Sequence, residues 1–203
     1  MLSKKTKRFR GIEKIISTID YICDTGKNGS GLQNKSLYES LVNLKGCSAQ
    51  GSENGFGISF MSGMNEKIIQ GQKFVHIVSC NTHGTSSLLT TFAGRQLENL
   101  EAADMVLVRR SEDIGNHERL VSANVVARHL DPNLGTHHAI DVCDMFAFQN
   151  IKCNLTSSDI TTPSQLMHSV RFNIKLKNSL SKADVLYHYL VQISPKDNLG
   201  LVM

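Results

Sequence analysis

Lys73-Phe74-Val75-His76-Ile77-Val78-Ser79-Cys80 is the most concentrated apolar run in the chain, and its reading decides the fold. Phe74 and Val78 fall on one face, Val75 and Ile77 on the other, the pattern of a strand covered on both sides. Asn81-Thr82-His83-Gly84 then reads as a turn. Residues 86–101 read as an amphipathic helix that sets Leu88, Leu89, Phe92, Ala93, Leu97 and Leu100 toward a sheet, with Thr85 or Ser86 as its cap. Met105-Val106-Leu107-Val108 is a second strand. Taken as parallel neighbours, the two strands and their helix form a right-handed crossover.

Downstream of this unit, Val121, Ala123, Val125 and Ala127 alternate with other residues, so 119–128 is expected as a strand. Residues 139–148 and 151–155 suggest a hairpin around Gln149-Asn150, and 156–163 a polar loop. Val170, Phe172, Ile174 and Leu176 alternate strictly with Arg171, Asn173, Lys175 and Lys177, which predicts a half-exposed strand with a basic outer face. Ser181-Lys182-Ala183-Asp184 opens a last helix, and Pro195 stops it.

Upstream, Ile12, Ile15, Ile16, Ile19 and Ile22 recur at helical spacing and predict a short helix over 12–23. Residues 24–35 read as a flexible connection. Ser36-Leu37-Tyr38-Glu39 is a capping box for a second helix, with Leu37, Leu41 and Leu44 on one face and Gly46 at its end. Residues 48–57 are a loop; its glycines do not form a phosphate-binding pattern. Short strands are expected at 57–61 and 67–69. The fold class expected is α+β, or an irregular α/β: one compact domain over 12–195 around the central strand–helix–strand unit. A disordered basic arm (1–11) precedes it and a short tail (196–203) follows.

The charge distribution is uneven. The chain has 203 residues and a formal net charge of +4. Residues 1–10 hold Lys4, Lys5, Lys7, Arg8 and Arg10 and no acid. Taking these five from the 22 basic residues leaves 17 against 18 acidic ones. A concentrated basic arm suits a polyanion, and phosphate contact needs only positive charge at reach. Arg171, Lys175 and Lys177 would extend that surface, with Arg109 and Arg110 adjoining. No run of about 18 apolar residues is present, so no membrane span is expected. Cys23, Cys47, Cys80, Cys143 and Cys153 are an odd number at unrelated spacings, the usage of a reducing compartment rather than a disulfide framework.

Two constellations bear on chemistry. Cys80 stands at the end of the buried strand, with His83 three residues on; a cysteine nucleophile needs a base to form thiolate. The strand Phe74 to Cys80, the helix, and the following Val106-Leu107-Val108-Arg109-Arg110-Ser111-Glu112 loosely resemble the cysteine-bearing strand and helix of caspase-type peptidases. That family takes its histidine from an earlier strand end, followed by glycine. Here His83-Gly84 follows the cysteine, so the base would have to be His83, His129 or His137. The second constellation is Cys80, His83, Cys143 and Cys153 as zinc ligands, with His137 and His138 nearby; the spacings are not those of a zinc finger. No Gly-x-Ser-x-Gly elbow exists. Asp141 and Asp144 read as solvent-facing.

The function these features favour is a non-enzymatic binding or assembly protein. Its arm would engage nucleic acid or an anionic membrane surface, and its body a second copy or a protein partner. No cofactor is expected, and the location is cytoplasmic, or nuclear through the arm. The layout resembles that of small viral structural proteins of matrix, coat or movement type. The alternatives are a cysteine-dependent hydrolase using Cys80 and His83, and a zinc-stabilised module.

Overall fold

The computed structural model describes residues 15–51, 53–111, 123–164 and 168–193, the last six as backbone alone. The chain divides at Cys80 into two compact units. Their elements are mixed α/β. No described helix is long and apolar enough to cross a membrane.

The first unit is a parallel sheet. Its strands are β1 (Tyr21–Asp24), β2 (Gly46–Gln50), β3 (Ile58–Phe60) and β4 (Phe74–Ile77), in the order β1-β2-β4-β3. All three pairings are parallel. Helix α1 (Ser30–Glu39) connects β1 to β2. β2 is buried over four successive residues, as expected of an internal parallel strand. The core gathers Leu44, Cys47, Ala49 and Phe56, with Ile19, Ile22, Tyr38, Leu41 and Phe74 against it. The Phe56 and Phe74 rings meet edge-to-face, centroids 5.4 Å apart. Gly57 allows the closest approach: a Cβ there would lie 2.1 Å from the Phe74 carbonyl oxygen.

The isoleucine helix expected over 12–23 does not form within the described part. Ile16–Thr18 is a single 3-10 turn, and the chain then extends into β1. β-Branched side chains lose rotamer freedom in a helix and suit a pleated surface. Pairing with β2 decides the outcome. The second helix begins at Ser30, inside the supposed flexible connection, and ends where the capping box was expected to start it. β2 occupies the first part of the supposed 48–57 loop. Residues 67–69 are turns, not a strand.

The second unit is built on a mixed sheet of β5 (Leu100–Arg110), β6 (Val125–Val126), β7 (Leu155–Thr162) and β8 (Ser169–Leu176), in the order β6-β7-β5-β8. β5 runs parallel to β7 and antiparallel to β8; β6 is antiparallel to β7. Helices α2 (Cys80–Ala93) and α3 (His137–Ala147) supply much of the apolar core. α3 buries His138, Ala139, Val142, Met145 and Phe146, one stripe at helical spacing. Leu89, Met105, Leu107 and Leu155 are buried with it. α4 (Lys182–Ile193) starts at a reciprocal cap: Ser181 Oγ accepts from the Asp184 N–H at 3.1 Å, and Asp184 Oδ2 accepts from the Ser181 N–H at 3.1 Å.

β8 and α4 fall where the alternation and the cap place them. The central crossover is corrected. β4 and β5 belong to different sheets and are not neighbours. α2 starts at Cys80 and absorbs the supposed turn 81–84. The hairpin over 139–155 is instead α3 followed by a tight turn, and the supposed polar loop 156–163 is mostly β7. The strand expected over 119–128 is reduced to Val125–Val126 within its described part.

Candidate active site

Cys80 is exposed and is the first residue of α2. β4 ends three residues earlier, between β2 and β3 in the parallel sheet. The thiol therefore follows the carboxyl end of an internal parallel strand, the end at which α/β folds carry chemistry. The free N–H groups of a helix's first turn favour negative charge at the same place. The next side chains are sunk into the fold: Asn81, Thr82, Thr85 and Ser86 are buried, and Thr85 Oγ1 donates to Met105 Sδ at 3.2 Å. His83 stands three residues on in the same helix, so it shares a face with Cys80.

The N-terminus of α1 is filled by the protein itself. Glu53, 2% exposed, accepts from the Gly29 N–H (2.6 Å) through Oε1 and from the Leu32 N–H (2.8 Å) through Oε2. Gly29 sits at φ +85°, and a Cβ on Gly31 would lie 2.5 Å from that of Ala49. The helix is thereby pressed onto β2 with its first turn closed by a carboxylate. His76 holds the approach to Glu53, its Nε2 2.6 Å from the Gly51 carbonyl oxygen. Burial lowers its pKa.

The second unit carries a buried polar cluster. Asp159 of β7 is fully enclosed, and its Oδ2 accepts from Arg109 Nη1 (2.9 Å) and His138 Nε2 (3.0 Å). Burial pushes this carboxyl up, but the hydrogen bonds from His138 and Arg109 outweigh it and hold it below the usual range. With Nε2–H given to the carboxylate, a neutral His138 ring has its lone pair at Nδ1. That atom, Asp159 Oδ1 and Arg109 Nε have no partner among the described residues. His137 stacks on His138 with centroids 3.9 Å apart. Burial, then the neighbouring His138 and Arg109, push His137 down to about 4.

Ser157 fixes the start of α3 from the same strand, its Oγ accepting from the Thr136 and Ala139 N–H groups at 3.2 Å each. A carboxylate-oriented imidazole with an open nitrogen is equipped for proton transfer. Asp141, one turn on, is buried rather than solvent-facing; burial, then Asp144, push it up to about 6.

The site residues expected from sequence are thus dispersed. Lys4, Lys5, Lys7, Arg8 and Arg10 lie outside the described residues. On and beyond β8, Arg171 is exposed, Lys175 pairs with Glu101, and Lys177 donates to the Glu98 carbonyl at 2.8 Å. Arg109 turns to Asp159 instead of an open basic patch. The zinc set resolves into two pairs, Cys80 with His83 and Cys143 with Cys153. Among the described residues no three Cys, His, Asp or Glu are arranged to hold a metal ion. The caspase-like layout is corrected too: it needs both strands in one sheet and a histidine upstream, but β4 and β5 are in separate sheets and His76 is a core residue. Asp159 carries no signal in the sequence because β7 reads there as a loop, and His138 is expected only as a neighbour of the zinc set.

No family model matches the chain. It is similar to a glyceraldehyde-3-phosphate dehydrogenase of Saccharolobus solfataricus, 31% identical over 178 residues, 86% of this chain and 49% of that protein. A protein of the same description from Sulfurisphaera tokodaii is 28% identical over 182 residues, covering 88% and 50%. One from Saccharolobus islandicus is 30% identical over 178 residues, covering 86% and 49%. The chain spans about half the length of these curated relatives. They overturn the non-enzymatic reading, with its nucleic-acid-binding and viral-type structural roles, give its nuclear option no support, and point to a dehydrogenase-type enzyme. A basic arm failed as a guide because charge alone carries no specificity.

Proposed function

We propose that this chain takes part in the oxidation of a short phosphorylated aldehyde, with Cys80 as the nucleophile. The observation that carries the reading is the similarity to glyceraldehyde-3-phosphate dehydrogenases over 86% of the chain. The exposed thiol at the start of α2 supports it. The Cys80 sulfur adds to the aldehyde carbon, and the carbonyl electron pair moves to oxygen. The N–H groups of the first turn of α2 favour the resulting oxyanion. A cytoplasmic location accompanies this reading.

A dehydrogenase also needs a hydride acceptor, ordinarily a nicotinamide dinucleotide. Its diphosphate suits a glycine-rich turn leading into an open helix N-terminus. The turn before α1 has glycines, but Glu53 already holds the Gly29 and Leu32 N–H groups, and its charge would repel phosphate. The residues at α1 do not fit that group.

The test is alkylation by iodoacetamide, followed cysteine by cysteine by peptide mass spectrometry. Glyceraldehyde 3-phosphate is expected to slow alkylation of Cys80 and leave Cys23, the other exposed cysteine, unchanged. Glycerol 3-phosphate, which lacks the aldehyde, is expected to protect neither. Equal Cys80 rates with and without the aldehyde would overturn the proposal.

A further inference from the structure

Cys143 and Cys153 are the one close pair of thiols that the sequence reading assigned to metal and the structure leaves without a ligand set. Both are half-buried. Cys143 lies on α3, and its Sγ donates to the Cys153 carbonyl oxygen at 3.6 Å. Each thiol also perturbs the titration of the other.

Their meeting is built by the backbone. α3 ends at Ala147, and Asn150 takes the left-handed conformation at φ +60°. The Gln149 and Ile151 N–H groups return to the Phe146 carbonyl (2.9 and 3.1 Å), and the Asn150 N–H returns to that of Ala147 (2.9 Å). This turn doubles the chain back along α3 and delivers Cys153 beside Cys143. Beyond it, Asn154 Nδ2 donates to the Glu101 carbonyl at 2.8 Å, and β7 begins at Leu155. Both sulfurs are thus held on fixed elements, and a disulfide needs them to reach a bonding separation of about 2.05 Å.

The geometry points to a modification site: Cys143 and Cys153 form an intramolecular disulfide when the protein meets a hydroperoxide. The neighbouring Cys153 thiol draws the Cys143 thiol below its usual range and is itself raised. Cys143 is therefore the attacking sulfur. Its thiolate attacks one peroxide oxygen and the O–O bond breaks. That leaves a sulfenic acid on Cys143 and, after protonation, releases water from hydrogen peroxide or the alcohol from an organic hydroperoxide. The Cys153 sulfur then attacks the Cys143 sulfur. The S–O bond breaks, the S–S bond forms, and the Cys153 proton leaves with hydroxide as water. Two electrons pass from the thiol pair to the peroxide. In a reducing compartment, thiol–disulfide exchange restores both thiols. The disulfide would tie the second half of α3 to the lead-in of β7, the two elements that carry His138 and Asp159.

The test uses the full chain with Cys80→Ser, so that one exposed competitor for oxidation is absent, alongside the unaltered chain. Hydrogen peroxide is added, and peptides are mapped without reduction. The expected product is a Cys143–Cys153 linked peptide that dithiothreitol removes. Cys153→Ala is expected to reduce it to background and leave a sulfenic acid at Cys143 that dimedone traps. Cys143→Ala is expected to abolish both. Because a substitution in α3 can impair folding, phenylarsine oxide is used on the chain without these two substitutions; bridging of Cys143 to Cys153 is expected. Sulfenic acid persisting on Cys143 while Cys153 stays reduced would overturn the inference. So would disulfides formed only with other cysteines, or a failure of phenylarsine oxide to bridge the pair. None of these readouts depends on the chemistry proposed for Cys80.

Discussion

Glu53→Ala tests the claim that a carboxylate from outside α1 holds its first turn. Glu53 makes two charge-assisted hydrogen bonds, to Gly29 and Leu32, and is almost fully enclosed. Each such bond contributes about 1.5–3 kcal/mol. Removing the carboxylate also removes its burial penalty, which offsets roughly half of that sum. A net loss of about 2–3 kcal/mol is expected, or roughly 8–24 °C in the transition of the unit that contains it. Glu53→Gln keeps one acceptor but turns an N–H donor toward a backbone N–H, so it is expected to lose nearly as much as alanine. The chain has no tryptophan, so unfolding in urea is followed by far-UV circular dichroism. Native-state amide exchange at Gly29 and Leu32 gives the local readout. Exchange there is expected to accelerate more than elsewhere in α1. An alanine variant within about 0.5 kcal/mol of the parent, the range of an ordinary surface change, would refute the reasoning. So would unchanged exchange at those two amides.

Asp141 titrates near 6 when folded, against an ordinary aspartate value of 3.8, so the folded state binds the extra proton, and stability falls as pH rises from about 4 to 6. Asp141→Asn is expected to remove that fall in urea titrations across the window; an unchanged slope would sink the assignment. Asp159 is shifted the other way, so its contribution is present above the unfolded value and is lost as pH falls through the depressed one. Asp159→Asn is expected to cost about 2–4 kcal/mol at neutral pH, because it leaves the partly buried Arg109 charge without its partner; thermal unfolding measures it. Gly57→Ala forces a Cβ onto the Phe74 carbonyl and is expected to cost about 3 kcal/mol or more. A near-neutral Gly57→Ala in urea unfolding would show that β3 and β4 separate easily.

What was legible in the sequence follows the range of the forces involved. β4, β8 and α4 are set by patterns within a few residues: an apolar run, a strict alternation, a reciprocal cap. α1 was misplaced because its cap is Glu53, more than twenty residues away, while Ser36 and Glu39 offered a local signal that folding does not use. β1 was read as a helix because isoleucines at helical spacing also suit a strand once β2 is there to pair with it. β7 was hidden by its own task. Leu155-Thr156-Ser157-Ser158-Asp159 looks like a loop because Ser157 caps α3 and Asp159 holds His138 and Arg109. Polar residues that satisfy partners elsewhere in the fold erase the alternation that would announce the strand. Cys80 stands where the sequence puts it, after a buried strand, whereas the caspase-like layout expected around it is not what the fold builds.

The pairing of β5 has a consequence for how the protein is made. β5 is the middle of its sheet, yet its first partner, β7, begins only about 50 residues later, and β8 later still. A ribosome adds about 5–20 residues per second, so after the strand emerges one edge of β5 waits roughly 3–10 s for β7 and the other roughly 3–13 s for β8. During that interval Met105 and Leu107, fully enclosed in the finished fold, lack the sheet that later covers them. The nascent chain is therefore most exposed to mispairing and to capture by chaperones between the synthesis of Arg110 and that of Leu176.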